Sequence, residues 1–319
     1  MRAVRVVGGV PQVVDVAEPA GDGVRVRVAA SGICGSDLAM IDAGWAPPVT
    51  MGHEIAGWAP DGTPVAIEPL DPCGRCEPCR SGAYHLCVDA AATMIGIGVD
   101  GGWAAELVVP ERCLVPLPSG LSVADAPLVE PIAVALHGLG LVGHHPEQRI
   151  AIVGGGTIGL CALAAIRSRG GRADVVARHD HQAAAVEALG GRATVGDSYD
   201  LVVETAGTAD ALRHAVRLAR PGAAVLLLSM HWEPTVTPGV AMWMKEVRLV
   251  PSITYGLLPH DGQRSGRREI DEAARVLAEW PDVAPTLITH RFPLEAAADA
   301  VATARDRAQG SIKVVLEPT

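Results

Sequence analysis

A chain of 319 residues with 49% hydrophobic composition can bury a sizeable core and is longer than one average domain needs, so two domains are expected. Its formal net charge of -10 argues against nucleic acid and acidic membrane surfaces as partners, because both select clustered Lys and Arg. The opening MRAVRVVGGV lacks the apolar core and cleavage site of a signal peptide, and the longest apolar run, Ala151 to Ile166, is too short for a membrane span and is broken by Gly154, Gly155, Gly156 and Gly159. No membrane partner and a cytoplasmic location are expected.

The amino-terminal third sets short Val-bearing runs among Gly and Pro. Val24, Val26 and Val28 alternate with Arg25 and Arg27 as in a half-buried strand, so this part reads as mostly β. From about Gly138 apolar strands, Ile150 to Val153 and Leu201 to Val203, alternate with Ala-rich helical stretches such as Gln182 to Leu189. That rhythm predicts an α/β architecture, a parallel sheet with helices on both faces. After about Tyr255 the sequence reads as a Gly- and Arg-rich loop, a helix near Glu269 to Glu279, another near Leu294 to Ala308, and a last strand, Ile312 to Leu316.

Four of the seven cysteines, Cys73, Cys76, Cys79 and Cys87, crowd into PCGRCEPCRSGAYHLC. Thiolates so spaced wrap one tetrahedral zinc, and a closed four-sulfur shell leaves no position for water, so the site reads as structural. A redox pair or a nucleic-acid-binding ribbon fits less well, the first because of the fourth cysteine and the second because the chain is acidic. Cys113 and Cys161 read as buried filler.

RIAIVGGGTIGL, Arg149 to Leu160, places Gly154, Gly156 and Gly159 in G-x-G-x-x-G spacing between an apolar strand and a helix, with Thr157 and Ile158 at the two intervening positions. Gly154 allows the tight turn, Gly156 lets the backbone approach a pyrophosphate, and Gly159 lets helix and strand pack closely. About twenty positions on, where an acid usually meets the adenosine ribose, the second strand, Asp174 to Ala177, ends in Ala177, Arg178 and His179. A small residue followed by two potential cations favours NADP over NAD, with Asp180 as the alternative acid if the turn is shifted. Thr205, Ala206 and Gly207 follow one apolar strand and Ser229 another, so both strand ends should face the cofactor.

Three further segments carry zinc-ligand chemistry: Cys34 and Ser36 in GICGSD, His53 and Glu54 in MGHE, and Glu130 in LVEPIAVALHG. Each alone is as easily packing. In the order GICGSD, GHE, four-cysteine loop, VEP and glycine fingerprint, the chain resembles the zinc-containing medium-chain dehydrogenase/reductase family, closest to its polyol, or sorbitol-type, branch. The resemblance runs nearly end to end, through LITHRFPLEAAADA and GSIKVVLEP. It implies a mostly β GroES-like catalytic domain, residues 1–138 plus 259–319, into which a Rossmann doubly wound domain, 139–258, is inserted, with the active site in the cleft.

The same resemblance implies that Cys34 and His53 ligate a catalytic zinc, that one of Glu54 and Glu130 joins them, and that Asp37 orients His53. Two zinc ions per chain are expected. An alcohol releases hydride readily only after its hydroxyl is deprotonated, and a zinc with an open position lowers that pKa. Ser36 matches the family hydroxyl that relays the proton. Two departures stand out: Ala39 replaces a relay histidine of many relatives, and IAGWAPDGTPVAIEPLDP is shorter than the usual segment. His137 reads as a helix or core residue and Lys313 as structural, while family position puts Met40, Trp45 and Trp103 near the substrate pocket.

The expected function is hydride transfer between a zinc-bound alcohol or polyol, or the matching aldehyde or ketone, and NAD(P). The alternative is a non-catalytic dinucleotide-binding protein holding only the structural zinc. GHE lacks the second His of H-E-x-x-H, which disfavours a metallohydrolase. Family habit suggests a homodimer or homotetramer.

Overall fold

The computed structural model describes residues 1–232, 239–260 and 263–318. Two compact units emerge, Met1–Glu130 with Gly256–Thr319, and Pro131–Tyr255. Among the described residues, no helix is long and apolar enough to cross a membrane.

The first unit opens with the antiparallel pair β1 (Arg2–Val7) and β2 (Val10–Asp15). Its main sheet grows from β3 (Val24–Gly32), flanked by β4 (Glu54–Trp58), β5 (Pro64–Ile67), β6 (Glu106–Val109) and β7 (Leu114–Pro116). The alternation seen in the sequence is realised in β3: Val26 and Val28 are buried while Arg25 and Arg27 are exposed. Val26 and Val28 pack with Ile55, Val65, Ile67, Leu107 and Val109 into one apolar cluster. Helix α1 (Gly35–Asp42) follows β3 almost directly.

Helix α2 (Val129–Leu141) carries Glu130 in its first turn. In the second unit β8 (Ile150–Val153), α3 (Thr157–Ser168), β9 (Ala173–Val176), α4 (Asp180–Ala188), β10 (Tyr199–Glu204), α5 (Ala209–Leu218), β11 (Ala219–Leu227) and β12 (Arg248–Pro251) alternate as the sequence predicts. All neighbouring strands are parallel, in the order β12-β11-β10-β8-β9. The chain steps outward from β8 to β9, then returns past β8 to start β10. That reversal is the topological switch point at which open α/β sheets bind ligands, beyond the carboxyl ends of the strands. Right-handed crossovers then put α3 and α5 on opposite faces.

Among the described residues this Rossmann-like sheet has five strands. Only a short segment separates α4 from β10, and where a third outer strand would lie a single residue, Arg192, makes a parallel bridge to Asp174.

The carboxyl-terminal part completes the first unit. Instead of the expected loop, β13 (Leu257–His260) and β14 (Gln263–Arg268) form an antiparallel hairpin. Pro259 and Gly266, both poor strand formers, hide it in the sequence; residues 261 and 262 of that expected loop lie outside the described residues. Helix α6 (Glu269–Glu279) has the expected limits, whereas the helix expected from Leu294 to Ala308 is a 3₁₀ turn, Leu294–Ala296, followed by α7 (Ala297–Arg305). Finally β15 (Ile288–Pro293) runs parallel to β16 (Lys313–Glu317), and β16 pairs antiparallel with β3 at Val315–Gly32. Since Gly32 also pairs with Glu54, this register brings the last strand to the first motif region.

Candidate active site and cofactor cradle

In the first unit, Cys34 is the residue on which α1 starts, and Asp37 fastens it there: Asp37 Oδ2 accepts from the Cys34 backbone N–H at 2.9 Å. The other oxygen of this fully buried carboxylate, Oδ1, lies 3.4 Å from His53 Nδ1. A proton on Nδ1 facing Asp37 leaves the Nε2 lone pair on the opposite side of the ring, where Ser36 Oγ stands 3.5 Å away. Cys34 also interacts with His53 directly.

Electrostatics tie Glu130 to the same group. Burial pushes its carboxyl up to about 7; His53 and Lys313 pull it down, and Glu54 and Asp37 push it further up. Burial opposes charge on His53, but Asp37 and Cys34 outweigh it and hold the imidazole well above its ordinary value. Asp37 thus links a thiol-bearing residue to an imidazole whose Nε2 is turned away from its carboxylate, and Glu130 lies within electrostatic reach of that imidazole; these are N, S and O groups of the kind a divalent cation takes as ligands.

The structure separates the two glutamates. Both oxygens of Glu54 are engaged by Lys313 Nζ, at 2.7 and 2.6 Å, and Nζ also donates to Ile33 O at 3.0 Å. A Cβ on Gly32 would lie 1.9 Å from Glu54 Oε2, so the missing side chain there is what admits the carboxylate. Both oxygens of Glu54 are thus directed at an ammonium, a partner that sequence reasoning did not assign to it.

The four clustered cysteines are brought together: the Sγ atoms of Cys73, Cys76, Cys79 and Cys87 all lie within 4.8 Å of one another, and none is disulfide-bonded. Among the described residues they are the one group of three or more metal-ligating side chains drawn this close. Backbone N–H groups point at the sulfurs, from Cys73 and Asp89 to Cys87 at 3.3 and 3.4 Å, and from Val88 and Cys79 to Cys76. Those donors lower Cys76 to about 6, while burial and Cys76 itself raise Cys79. Amides aimed at sulfur favour thiolates, the form that holds zinc.

In the second unit the glycine turn has the geometry the spacing implies. Gly154 sits at φ +117°, and a Cβ there would meet Thr205 Oγ1 at 2.6 Å; a Cβ on Gly159 would lie 1.9 Å from Gly154 O. Gly156 is the residue preceding α3, and Thr157, Ile158 and Gly159 form its first turn. Ala177 lies beside this turn, 3.3 Å from a Cβ built on Gly155. Beyond it, Arg178 is exposed with its backbone N–H held by Gln182 Oε1 at 3.1 Å, and His179 precedes α4, whose first residue is Asp180. Asp174, at the other end of β9, is occupied by Arg192 and Tyr199.

Two of the three residues assigned to a substrate pocket are core. Trp103 is fully buried with its Nε1 directed at Gly32 O, and Met40 packs with it, Ile33, Ile41 and Met51 in one cluster; Trp45 is exposed. Apolar bulk at family positions near a pocket does not distinguish lining from packing. His137 is buried on α2, as expected of a core residue.

Sequence reasoning missed two polar groups. Glu68, buried, accepts from Tyr84 Oη at 2.5 Å and from Arg268 at 2.9 Å, which ties the cysteine loop to the β13–β14 hairpin. Glu204, the last residue of β10, is fully buried, and its carboxylate accepts from the Ala206 and Gly207 N–H groups at 2.7 and 2.9 Å, from Ser229 Oγ and from His231 Nε2 at 3.2 Å. A charge ending the apolar run LVVE was the signal for the second.

Comparison with known proteins gives a consistent picture. Residues 20–119 match the alcohol dehydrogenase GroES-like domain. The chain is 31% identical to galactitol 1-phosphate 5-dehydrogenase of Escherichia coli (strain K12), over 93% of each chain. Among solved structures it is similar to galactitol-1-phosphate dehydrogenase from Escherichia coli, with 28% identity, a TM-score of 0.86 and full coverage of both chains. It is equally similar to a structure described as a zinc-binding dehydrogenase from Sinorhizobium meliloti 1021 bound to NADP, with 28% identity, a TM-score of 0.85 and 99% of each chain covered.

Proposed function

The chain belongs to the zinc-containing medium-chain dehydrogenase/reductase family, on its polyol side, and from that premise we propose that Cys34, His53 and Glu130 hold the catalytic zinc of an NAD(P)-linked polyol dehydrogenase. The reading is carried by one observation: Asp37 bonds the Cys34 backbone through one oxygen and faces His53 Nδ1 at 3.4 Å through the other, so that the loop bearing the thiol and the imidazole are joined by one buried carboxylate, with Glu130 in electrostatic reach of the ring. Cys73, Cys76, Cys79 and Cys87 hold a second, structural zinc. Residues 1–138 with 259–319 form the catalytic domain, and 139–258 the dinucleotide-binding domain.

Zinc, when bound, supplies the Lewis acidity that makes an alcohol acidic enough to yield its proton near neutral pH, and the dinucleotide supplies the hydride acceptor. The chain's own residues do the rest. Asp37 holds the His53 tautomer. Ser36 Oγ, beside His53, accepts the substrate's hydroxyl proton as it gives up its own, and because Ala39 stands where many relatives have a relay histidine, the released proton passes to water or a ribose hydroxyl. Gly156 and the first turn of α3 are the groups that would hold the dinucleotide's pyrophosphate, and Ala206 and Ser229 would line the cofactor-facing strand ends. In balance, a secondary alcohol and oxidised dinucleotide give ketone, reduced dinucleotide and one proton, and the reverse reaction uses the same groups.

Ala177, Arg178 and His179 favour NADP over NAD, a preference in keeping with the NADP-bound relative. The substrate is a polyol or a polyol phosphate, the class named for the relatives. The enzyme acts as a homodimer or homotetramer in the cytoplasm, where its seven free cysteines stay reduced.

The test is a panel of polyols, polyol phosphates and simple alcohols assayed with NAD and NADP by reduced-nicotinamide absorbance, alongside metal analysis. About two zinc ions per chain, with one lost together with turnover in Cys34→Ser, is the expected result. A single zinc, no turnover with any member and no change in Cys34→Ser would leave only the non-catalytic dinucleotide-binding reading.

A further inference from the structure

We propose that Glu204 is the positioning residue that sets the cofactor-facing rim of the second unit, so that dinucleotide affinity depends on a carboxylate buried beneath the loops that bear Ala206 and Ser229. The proposal rests on the reading of the glycine turn as a dinucleotide site.

The argument begins with cost. Glu204 is fully buried and is engaged by four donors: two backbone N–H groups on the loop after β10, the Ser229 hydroxyl after β11, and His231 two residues further on. A carboxylate offers only lone pairs, so His231 Nε2 carries the proton in this contact. Burying a charge is expensive even when every lone pair is satisfied, and an apolar side chain of similar volume would often stabilise the strand as well or better. Stability alone therefore does not account for a glutamate at the end of LVVE.

What it does geometrically is join separate loops. Oε1 gathers Ala206 and Gly207 into a tight turn, and Oε2 reaches across to Ser229 and His231. The turn is also packed against the second loop: Gly207 has φ +70°, and a Cβ there would meet Met230 O at 2.9 Å. On the other side Thr205 Oγ1 lies 3.1 Å from both Val153 O and Gly154 O, so the same segment is fastened to the glycine turn. Three adjacent strands, β8, β10 and β11, thus have their carboxyl ends linked through residues 204 to 207. These ends flank the switch point where a dinucleotide is expected. Without the carboxylate the two outer loops lose their common acceptor, and the rim must be ordered at the moment of binding, at the expense of affinity.

The experiment titrates the zinc-loaded protein with NADPH and NADH, following the fluorescence of the bound reduced ring, and measures melting in parallel. Wild type is compared with Glu204→Gln and with Val202→Ala, a core truncation two residues earlier on the same strand. Glu204→Gln should weaken the preferred dinucleotide about tenfold or more, a loss near 1.4 kcal/mol, while Val202→Ala, whatever its melting loss, leaves affinity within about twofold. Equal affinity in Glu204→Gln and wild type overturns the proposal. So does a loss in Val202→Ala that matches that in Glu204→Gln at equal melting loss, because the effect is then only structural. If Glu204→Gln does not fold, Glu204→Asp, which keeps the charge but shortens its reach, is titrated in its place, with about threefold or greater weakening expected and unchanged affinity overturning the idea. A wild type that binds neither dinucleotide refutes the underlying cofactor reading, a result distinct from wild-type binding with an indifferent Glu204.

Discussion

Replacing Lys313 with Met removes the one ammonium directed at Glu54 and leaves a side chain of similar length in its place. Lys313 and Glu54 are 2% and 1% exposed, so solvent can neither screen the pair nor rehydrate the stranded carboxylate without local opening. Breaking a buried pair from one side costs about 3–5 kcal/mol, chiefly the penalty of the unpaired charge. Gly32 sharpens the expectation, because the carboxylate sits in the space its missing side chain leaves. For a unit of this size each kcal/mol corresponds to about 2–4 °C of melting temperature, so Lys313→Met should melt at least about 6 °C below wild type. The double variant Glu54→Leu with Lys313→Met removes both charges and should recover most of the loss. Melts followed by circular dichroism at one fixed zinc concentration make the comparison, since bound metal shifts apparent stability. A single variant within about 1 °C of wild type, or a double variant as unstable as the single, would refute the reasoning.

Three other outcomes are expected. Zinc uptake at the Cys34 site should weaken about tenfold or more from pH 8 to pH 6, because Glu130, lifted to about 7, and His53, also raised, must release protons to bind metal; dye competition in wild type against Cys34→Ser reads this, and a flat profile contradicts it. The same upward shifts carry a stability sign: in the metal-free protein both groups stabilise the fold at low pH, fully below their unfolded values, and that contribution is lost as pH rises, through about 7 for Glu130. Cys76→Ser should cost one zinc per chain and lower the melting temperature, as metal analysis and a thermal scan would show, whereas retention of both ions would exclude a four-thiolate site. Gly159→Ala should reduce dinucleotide affinity about tenfold or more, because its Cβ would collide with Gly154 O in the turn itself; unaltered binding in a titration would place the cofactor elsewhere.

How much was legible depended on distance along the chain. Glycine spacing and cysteine spacing are local, and a single turn or loop closes each, so residues 154–159 and 73–87 could be read directly. The pairing of Glu54 could not, because its partner is Lys313, 259 positions away, brought to it through the pairing of β16 with β3. Nor was the burial of Met40 and Trp103 legible, since apolar bulk near a functional motif looks the same whether it faces a cavity or a core. The hairpin of β13 and β14 was read as a loop because Pro259 and Gly266 mask its strand pattern. Glu204 was overlooked although a buried acid at a strand end was plain in LVVE: its meaning lies in the loop after β11, which no local pattern connects to it.

The reduction of the third outer strand to one bridging residue has a consequence for solubility. An exposed sheet margin is a template on which another polypeptide can lay down a strand. Along β9 part of that template is already taken: Val175 N–H donates to Arg192 O at 2.8 Å, and Ala173 O accepts from Arg192 N–H at 3.3 Å. The guanidinium of the same residue is clasped by Asp174, which adds a charged pair to the two backbone bonds at this point of the margin. One arginine thus interrupts, at its middle, the margin that a further strand would otherwise extend.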